Sequence, residues 1–94
     1  MSALKQFITD PAFMTFRELD RAQGRAKGEA FRAFKALAAA LIEGQDFHCC
    51  DARVDGEEFD LLEASGRLYR GTINGVLLAP SAQAAIALRL NSAR

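Results

Sequence analysis

Apolar positions in the first half of the chain recur every three or four residues, which is the spacing of one face of an α-helix. This pattern covers residues 12–23 and returns over residues 29–43. Asp10 followed by Pro11 is typical of a helix start, with the aspartate as N-cap and the proline in the first turn. The pattern also allows a short helical turn over residues 3–8.

Two glycines, Gly24 and Gly28, interrupt the helical pattern. Each costs about 1 kcal/mol relative to alanine inside a helix. We therefore favour a loop between two antiparallel helices over one continuous helix through residues 11–43. Gly44 is expected to end the second helix as its C-terminal cap.

The second half changes to short apolar runs that are separated by dipeptides with strong turn preferences. These dipeptides are Asp55-Gly56, Ser65-Gly66 and Asn74-Gly75. The first and the third are typical of two-residue hairpin loops. These three dipeptides separate four apolar runs, which are residues 47–54, 58–64, 68–73 and 76–79. They predict a four-stranded antiparallel meander, with the register after the second dipeptide open by one residue.

A final helix is predicted over residues 82–90, with Ser81 as its cap and Pro80 ending the preceding strand. The fold class is therefore α+β: an N-terminal helix or helix pair, a four-stranded meander and a C-terminal helix. We expect the helices to pack on one face of the sheet and residues 1–94 to form a single domain.

The composition fits an ordinary globular protein, because half of the 94 residues are hydrophobic and 26% are charged. It excludes a disordered chain and a disulfide scaffold. No apolar run approaches a membrane span, and the first residues lack a signal peptide pattern. Cys49 and Cys50 are adjacent, which favours two reduced thiols. We therefore expect a cytoplasmic protein without membrane contact.

Charge is balanced overall but uneven along the chain. Twelve basic residues match twelve acidic ones, which makes nucleic acid an improbable partner. Residues 45–66, however, hold seven acidic residues and one basic residue, whereas residues 67–94 hold four basic residues and no acidic one. The predicted first hairpin is therefore the strongly acidic element.

A two-residue loop at positions 55 and 56 would set Asp51 opposite Asp60 and Arg53 opposite Glu58 on the outer face of this hairpin. Opposed like charges are unfavourable on a sheet unless screening, an arginine or a partner compensates them. We therefore predict that these four residues bind a protein partner with a basic surface. The leading hypothesis is a small interaction module, such as an adaptor, an inhibitor or a mobile-element accessory protein, and not an enzyme.

The run from His48 to Asp51 contains potential metal ligands, but alternation on a strand divides them between two faces. The chain has no second histidine, so no metal site and no cofactor are expected. An alternative hypothesis is a small-ligand domain or minor enzyme, with a pocket between sheet and helices. His48, Cys50 and Glu63 would line it, and the interface of a homodimer could supply the space.

A third hypothesis concerns basic residues of the first half. Arg17, Arg21 and Arg25 follow one another at intervals of four, so a continuous helix would align them in one row. Such a row can contact an anion or nucleic acid, whereas an ordinary solvated helix face requires no ligand.

Overall fold

Residues 3–92 are described by the structure, a computed structural model. Within this range, five α-helices surround one two-stranded antiparallel sheet. In chain order the elements are α1 (Ala3–Thr9), α2 (Phe16–Ala22), α3 (Glu29–Leu37) with a 3₁₀ turn (Ala38–Ala40), β1 (Phe47–Asp51), α4 (Gly56–Ala64), β2 (Asn74–Leu78) and α5 (Pro80–Ser92). The α+β class is confirmed, and the four-stranded meander is wrong.

The segment predicted as the second strand is helix α4. Asp55 occupies its N-cap position, and acidic Glu57 and Glu58 lie in the first turn, where the helix dipole favours negative charge. Phe59 and Leu62, three residues apart, bury their side chains on the inner face. The Asp55-Gly56 dipeptide therefore begins a helix and forms no hairpin loop.

The third dipeptide also fails as a turn, because Asn74 and Gly75 begin β2. β2 pairs with β1 in a register that sets Gly75 opposite Cys50. A Cβ atom at Gly75 would lie 3.3 Å from the Cys50 carbonyl oxygen, so the glycine permits a close backbone approach. Residues 68–73, predicted as a strand, form turns between α4 and β2.

Both faces of the two-stranded sheet are covered by helices. On β2, Val76 and Leu78 pack in one hydrophobic cluster with residues of α2, α3 and α5. Leu77 points the other way and packs with Cys50 in a second cluster that includes residues of α1 and α4. The prediction that helices cover one face is therefore wrong, and both consecutive leucines are fully buried.

The helical first half was predicted more accurately. The chain breaks between α2 and α3, where Gly24 and Gly28 adopt φ angles of 63° and 91°. Helix α2, however, begins at Phe16 and not at Asp10. Thr15 caps it: its hydroxyl accepts from the Glu18 N–H, and the Glu18 carboxylate accepts from the Thr15 N–H.

Three other boundaries differ from prediction. The helical turn near the N-terminus is present as α1, one residue longer than expected. Helix α3 ends at Leu37 and passes through the 3₁₀ turn, so Gly44 lies beyond both and caps neither. Helix α5 begins at Pro80, which suits a first helical position because proline lacks an N–H.

One half-buried arginine connects three parts of the fold. Arg67 donates two hydrogen bonds of 3.0 Å to the Glu18 carboxylate, and others to the carbonyl oxygens of Ile8 and Phe13. Burial alone would raise the pKa of Glu18, but hydrogen bonds from Arg67 and Thr15 hold it below its usual value. Arg67 thereby fixes α4's C-terminal end against α1 and α2.

Candidate functional site

The four residues predicted to bind a basic partner do not form one surface. Asp51, at the end of β1, makes a local ion pair with Arg53, whose N–H donates to the Asp51 carboxylate at 2.7 Å. Glu58 and Asp60 lie on α4, where Glu58 is buried and Asp60 is exposed. The predicted pairs across a hairpin are absent because α4 replaces the second strand.

The alternative pocket residues are likewise separated. His48 stacks on Phe7 at 3.8 Å between ring centroids and lines a shallow hollow. Cys50 is fully buried in the core beneath the sheet, and Glu63 lines a different cleft. No pocket between sheet and helices therefore joins these three side chains among the pockets found in the described chain.

The cysteines have the properties of structural thiols. Burial raises the pKa of Cys50 to about 11, and nearby carboxylates, first Asp55, add to the effect. Cys49 is exposed, but partial burial of its thiol raises its pKa as well. The negative charge of Glu43 acts in the same direction. A nucleophilic cysteine needs a lowered pKa, so neither thiol has that character. Among residues 3–92, no three His, Cys, Asp or Glu side chains are grouped so that they could hold a metal ion.

A cleft of about 730 Å³ in the described chain is basic. Four cationic side chains line it: Arg17, Arg21, Lys27 and Arg70. The other lining residues are Glu63, Leu68, Tyr69 and Gly71. We call this group of residues the basic cleft. Its cations outnumber its single carboxylate by four to one, so it presents positive charge to an entering group.

Three separate elements bring the four cations together. Arg17 and Arg21 are four residues apart on α2 and therefore share one face of that helix. Lys27 lies in the α2–α3 loop, and Arg70 lies in the turns before β2. The third hypothesis placed the first two residues in this role, but Arg25 is not with them: it donates to the Leu90 carbonyl at the end of α5.

Direct ion pairs do not neutralise the cations of the basic cleft in the part of the chain that the structure describes. Among residues 3–92, none of the four forms an ion pair with a carboxylate. Arg17 donates to the carbonyl oxygen of Gly66, a neutral acceptor. Unpaired cations that converge on a concave surface attract anionic groups and raise their local concentration.

A buried carboxylate fixes the tyrosine in the cleft. Asp20 is only 1% exposed, and it accepts hydrogen bonds from the N–H groups of Gly28 and Ala30 and from the Tyr69 hydroxyl. Gly28 is the N-cap residue of α3 and Ala30 lies in its first turn, so Asp20 caps that helix from α2. The Tyr69 ring is therefore held in one place, with the Lys27 Nζ 5.3 Å from its centroid.

The ionisation of Tyr69 provides a first test of this arrangement. Burial raises the pKa of Tyr69 to about 12, and the hydrogen bond and negative charge of Asp20 act in the same direction. The stability from this interaction is complete below pH 10 and is lost as the pH rises towards 12, because the folded pKa exceeds the ordinary one. Tyr69 is the one tyrosine of a chain without tryptophan, so tyrosinate absorbance reports it alone.

We expect a spectrophotometric titration with a midpoint near pH 12 in the native protein, and a lower midpoint in the Asp20→Asn variant. Circular dichroism recorded at each pH confirms that the protein is still folded where the phenol ionises. A native midpoint at the ordinary value of 10.0 would contradict the Asp20–Tyr69 contact.

An apolar hollow of about 310 Å³ adjoins the basic cleft. Phe16, Phe31 and Ile73 contribute its apolar side chains. Lys27 and Tyr69 line both the hollow and the cleft, so the two concavities share a wall. Sequence reasoning missed Lys27, Tyr69 and Arg70 as site residues, since no periodic pattern joins a loop lysine to residues forty positions later.

Comparison with known proteins gives the site no precedent. No protein-family model, curated protein or solved structure matches the chain. Among the described residues, no helix combines the length and apolar character needed to cross a membrane.

Proposed function

We propose that this protein is a small interaction module that binds an acidic segment of a partner protein in the basic cleft. The observation that carries the proposal is the convergence of four cations, without carboxylate partners among residues 3–92, on one concavity. Complementary charge of this kind accelerates association and selects among partners.

The groups around the cleft favour binding over catalysis. Three of the four cations are arginines, whose guanidinium groups remain charged at every physiological pH. The pKa of about 12 keeps Tyr69 protonated near neutral pH, so its hydroxyl does not serve as a base there. These side chains can hold and orient an anion without exchanging protons, so the role proposed for them is binding.

A protein segment suits the surface better than a nucleic acid does. The cleft is confined to one face of α2 and the loops beside it, and the chain as a whole carries no net charge. The adjoining hollow adds apolar contacts, which the side chains of an acidic peptide can fill. We propose a cytoplasmic location because both cysteines are free and a reducing compartment keeps thiols in that state.

This proposal reverses the charge of the predicted partner. The acidic residues on which the earlier hypothesis depended are dispersed over the end of β1 and over α4. Binding of a basic partner and formation of a homodimer therefore stay predictions, and no binding surface is assigned to either. In the basic cleft, by contrast, four charges of one sign line a single concavity.

Charge reversal tests the proposal. The probe is a fluorescent polyglutamate peptide, and anisotropy measures its binding in increasing salt. We expect the Arg21→Glu/Arg70→Glu variant to bind at least about ten times more weakly than the native protein, because two attractive charges become repulsive. The matched control is Arg53→Glu/Arg89→Glu, which changes net charge equally at exposed sites outside the cleft.

Two results would overturn the proposal. One is equal loss of affinity in both double variants, which would indicate an effect of net charge alone. The other is tighter binding of a single-stranded oligonucleotide of the same charge, which would make the site a nucleic-acid interface. Circular dichroism of each variant confirms that the fold is retained.

A further inference from the structure

We infer that the acidic segment bound in the basic cleft carries a large apolar side chain, and that this side chain enters the adjoining hollow beside Phe31 and Ile73. The inference rests on the proposed function and adds a specificity element to it. The occupant is thus a partner segment that combines carboxylates with one bulky apolar residue.

The hollow exposes apolar surface that the fold itself does not cover. Phe31 is 44% exposed and Ile73 is 58% exposed, although the chain has other apolar residues that are fully buried. Phe31 packs edge-on against Phe16 at 5.4 Å between ring centroids, so the two rings form an aromatic wall. Adjacent exposed apolar side chains mark contact surfaces more often than isolated ones do.

The shared wall makes one segment the natural occupant of both concavities. Tyr69 lies between them and is held by the buried Asp20, and Lys27 lies over its ring. In an extended peptide successive side chains are spaced by about 3.3 Å along the strand. An acidic residue in the cleft and an apolar residue in the hollow can therefore belong to the same short stretch of chain.

Charge complementarity decides the chemistry of the flanking residues. Lys27 borders both concavities, and Arg17 and Arg21 line the cleft with Tyr69, close enough for their charges to act on its hydroxyl. A basic or neutral apolar segment would leave these cations uncompensated. An apolar side chain flanked by carboxylates satisfies both concavities at once.

A peptide pair tests the inference. One fluorescent peptide is a glutamate-rich sequence with a single leucine, and the other has serine at the leucine position. Several versions of each peptide are made, in which the leucine or serine lies at different distances from the glutamates. We expect the best leucine peptide to bind about ten times more tightly than its serine counterpart, because the leucine side chain is transferred from water into the apolar hollow.

A single substitution locates the gain. Ile73→Ser is expected to remove most of the difference in affinity between the leucine peptide and the serine peptide. Its matched control is Ile42→Ser, because Ile42 is 57% exposed and does not line the hollow. The control is expected to keep the full preference for leucine.

The outcomes separate this inference from the proposed function. If both peptides bind equally and charge reversal still weakens them, the cleft binds acidic segments and the inference is overturned. If neither peptide binds, both proposals are overturned. A preference for leucine that survives Ile73→Ser and Phe31→Ser would overturn the assignment to the hollow, and concentration-dependent self-association without peptide would make a second copy the occupant.

Discussion

Replacing Arg67 with methionine is expected to lower the free energy of unfolding by about 3 kcal/mol. The Arg67 side chain is 18% exposed and ion-pairs with Glu18, which is 34% exposed. Methionine retains much of the apolar stem but removes every donor. The Glu18 carboxylate and the carbonyls of Ile8 and Phe13 then lose their hydrogen bonds to Arg67. Because these groups are partly buried, water replaces the lost bonds only incompletely.

Arg53→Met is the matched control for this experiment. Arg53 is 78% exposed at its side chain, and its ion pair with Asp51 is local and solvated. Such pairs contribute little, so we expect a change below about 0.5 kcal/mol. Urea denaturation followed by circular dichroism measures both variants. Equal midpoints for the two would show that Arg67 does not hold α1, α2 and the end of α4 together.

The second large effect is expected at Asp20. Asp20→Ala removes the acceptor of three hydrogen bonds and leaves the first turn of α3 without its cap, so we expect a loss of about 3 kcal/mol. Asp60→Ala, an exposed aspartate on α4, is the control and is expected to change stability by less than about 0.5 kcal/mol. Thermal or urea unfolding measures both.

Asp20 also connects stability with the site, because the same carboxylate holds Tyr69. The conservative Asp20→Asn variant keeps the side-chain shape and is expected to lose less stability than Asp20→Ala. It should nevertheless weaken peptide binding, since the Tyr69 ring is no longer fixed between the cleft and the hollow. Unchanged peptide affinity in a folded Asp20→Asn protein would contradict this positioning role.

The sequence predicted the α+β class, the break at Gly24 and Gly28, and a terminal helix, because these depend on local periodicity and on backbone preferences. It failed at α4, where the Asp-Gly dipeptide suggested a hairpin. The acidic first turn and the spacing of Phe59 and Leu62 were the competing helix signals. Burial of that face against α1 and β1 decides between the two possibilities.

The sheet was mispredicted for a different physical reason. The predicted meander has helices on one face only, whereas the run from Val76 to Leu78 is continuously apolar. Continuous runs are typical of strands that are covered on both faces, and β2 is such a strand. Its partner β1 lies more than twenty residues earlier, so the pairing depends on tertiary packing and leaves no local signature.

The candidate site was predictable only in part. Arg17 and Arg21 were recognised through their helical spacing, which survives in α2. Arg25 was wrongly joined to them, because the left-handed Gly24 redirects the chain after α2. Lys27, Tyr69 and Arg70 reach the cleft only through the folding of loops around Asp20, which no sequence period encodes.

The most direct test of the basic cleft as the binding surface is a nuclear magnetic resonance titration. Amide shifts of the ¹⁵N-labelled protein would be followed as the glutamate-rich leucine peptide is added. We predict saturable shifts concentrated on residues 16–31 and 66–74 and at Glu63, with little change on residues 56–61 of α4 or on α5. Shifts centred on residues 51–61 instead, or no saturable shift, would contradict the proposal that this protein binds acidic segments in the basic cleft.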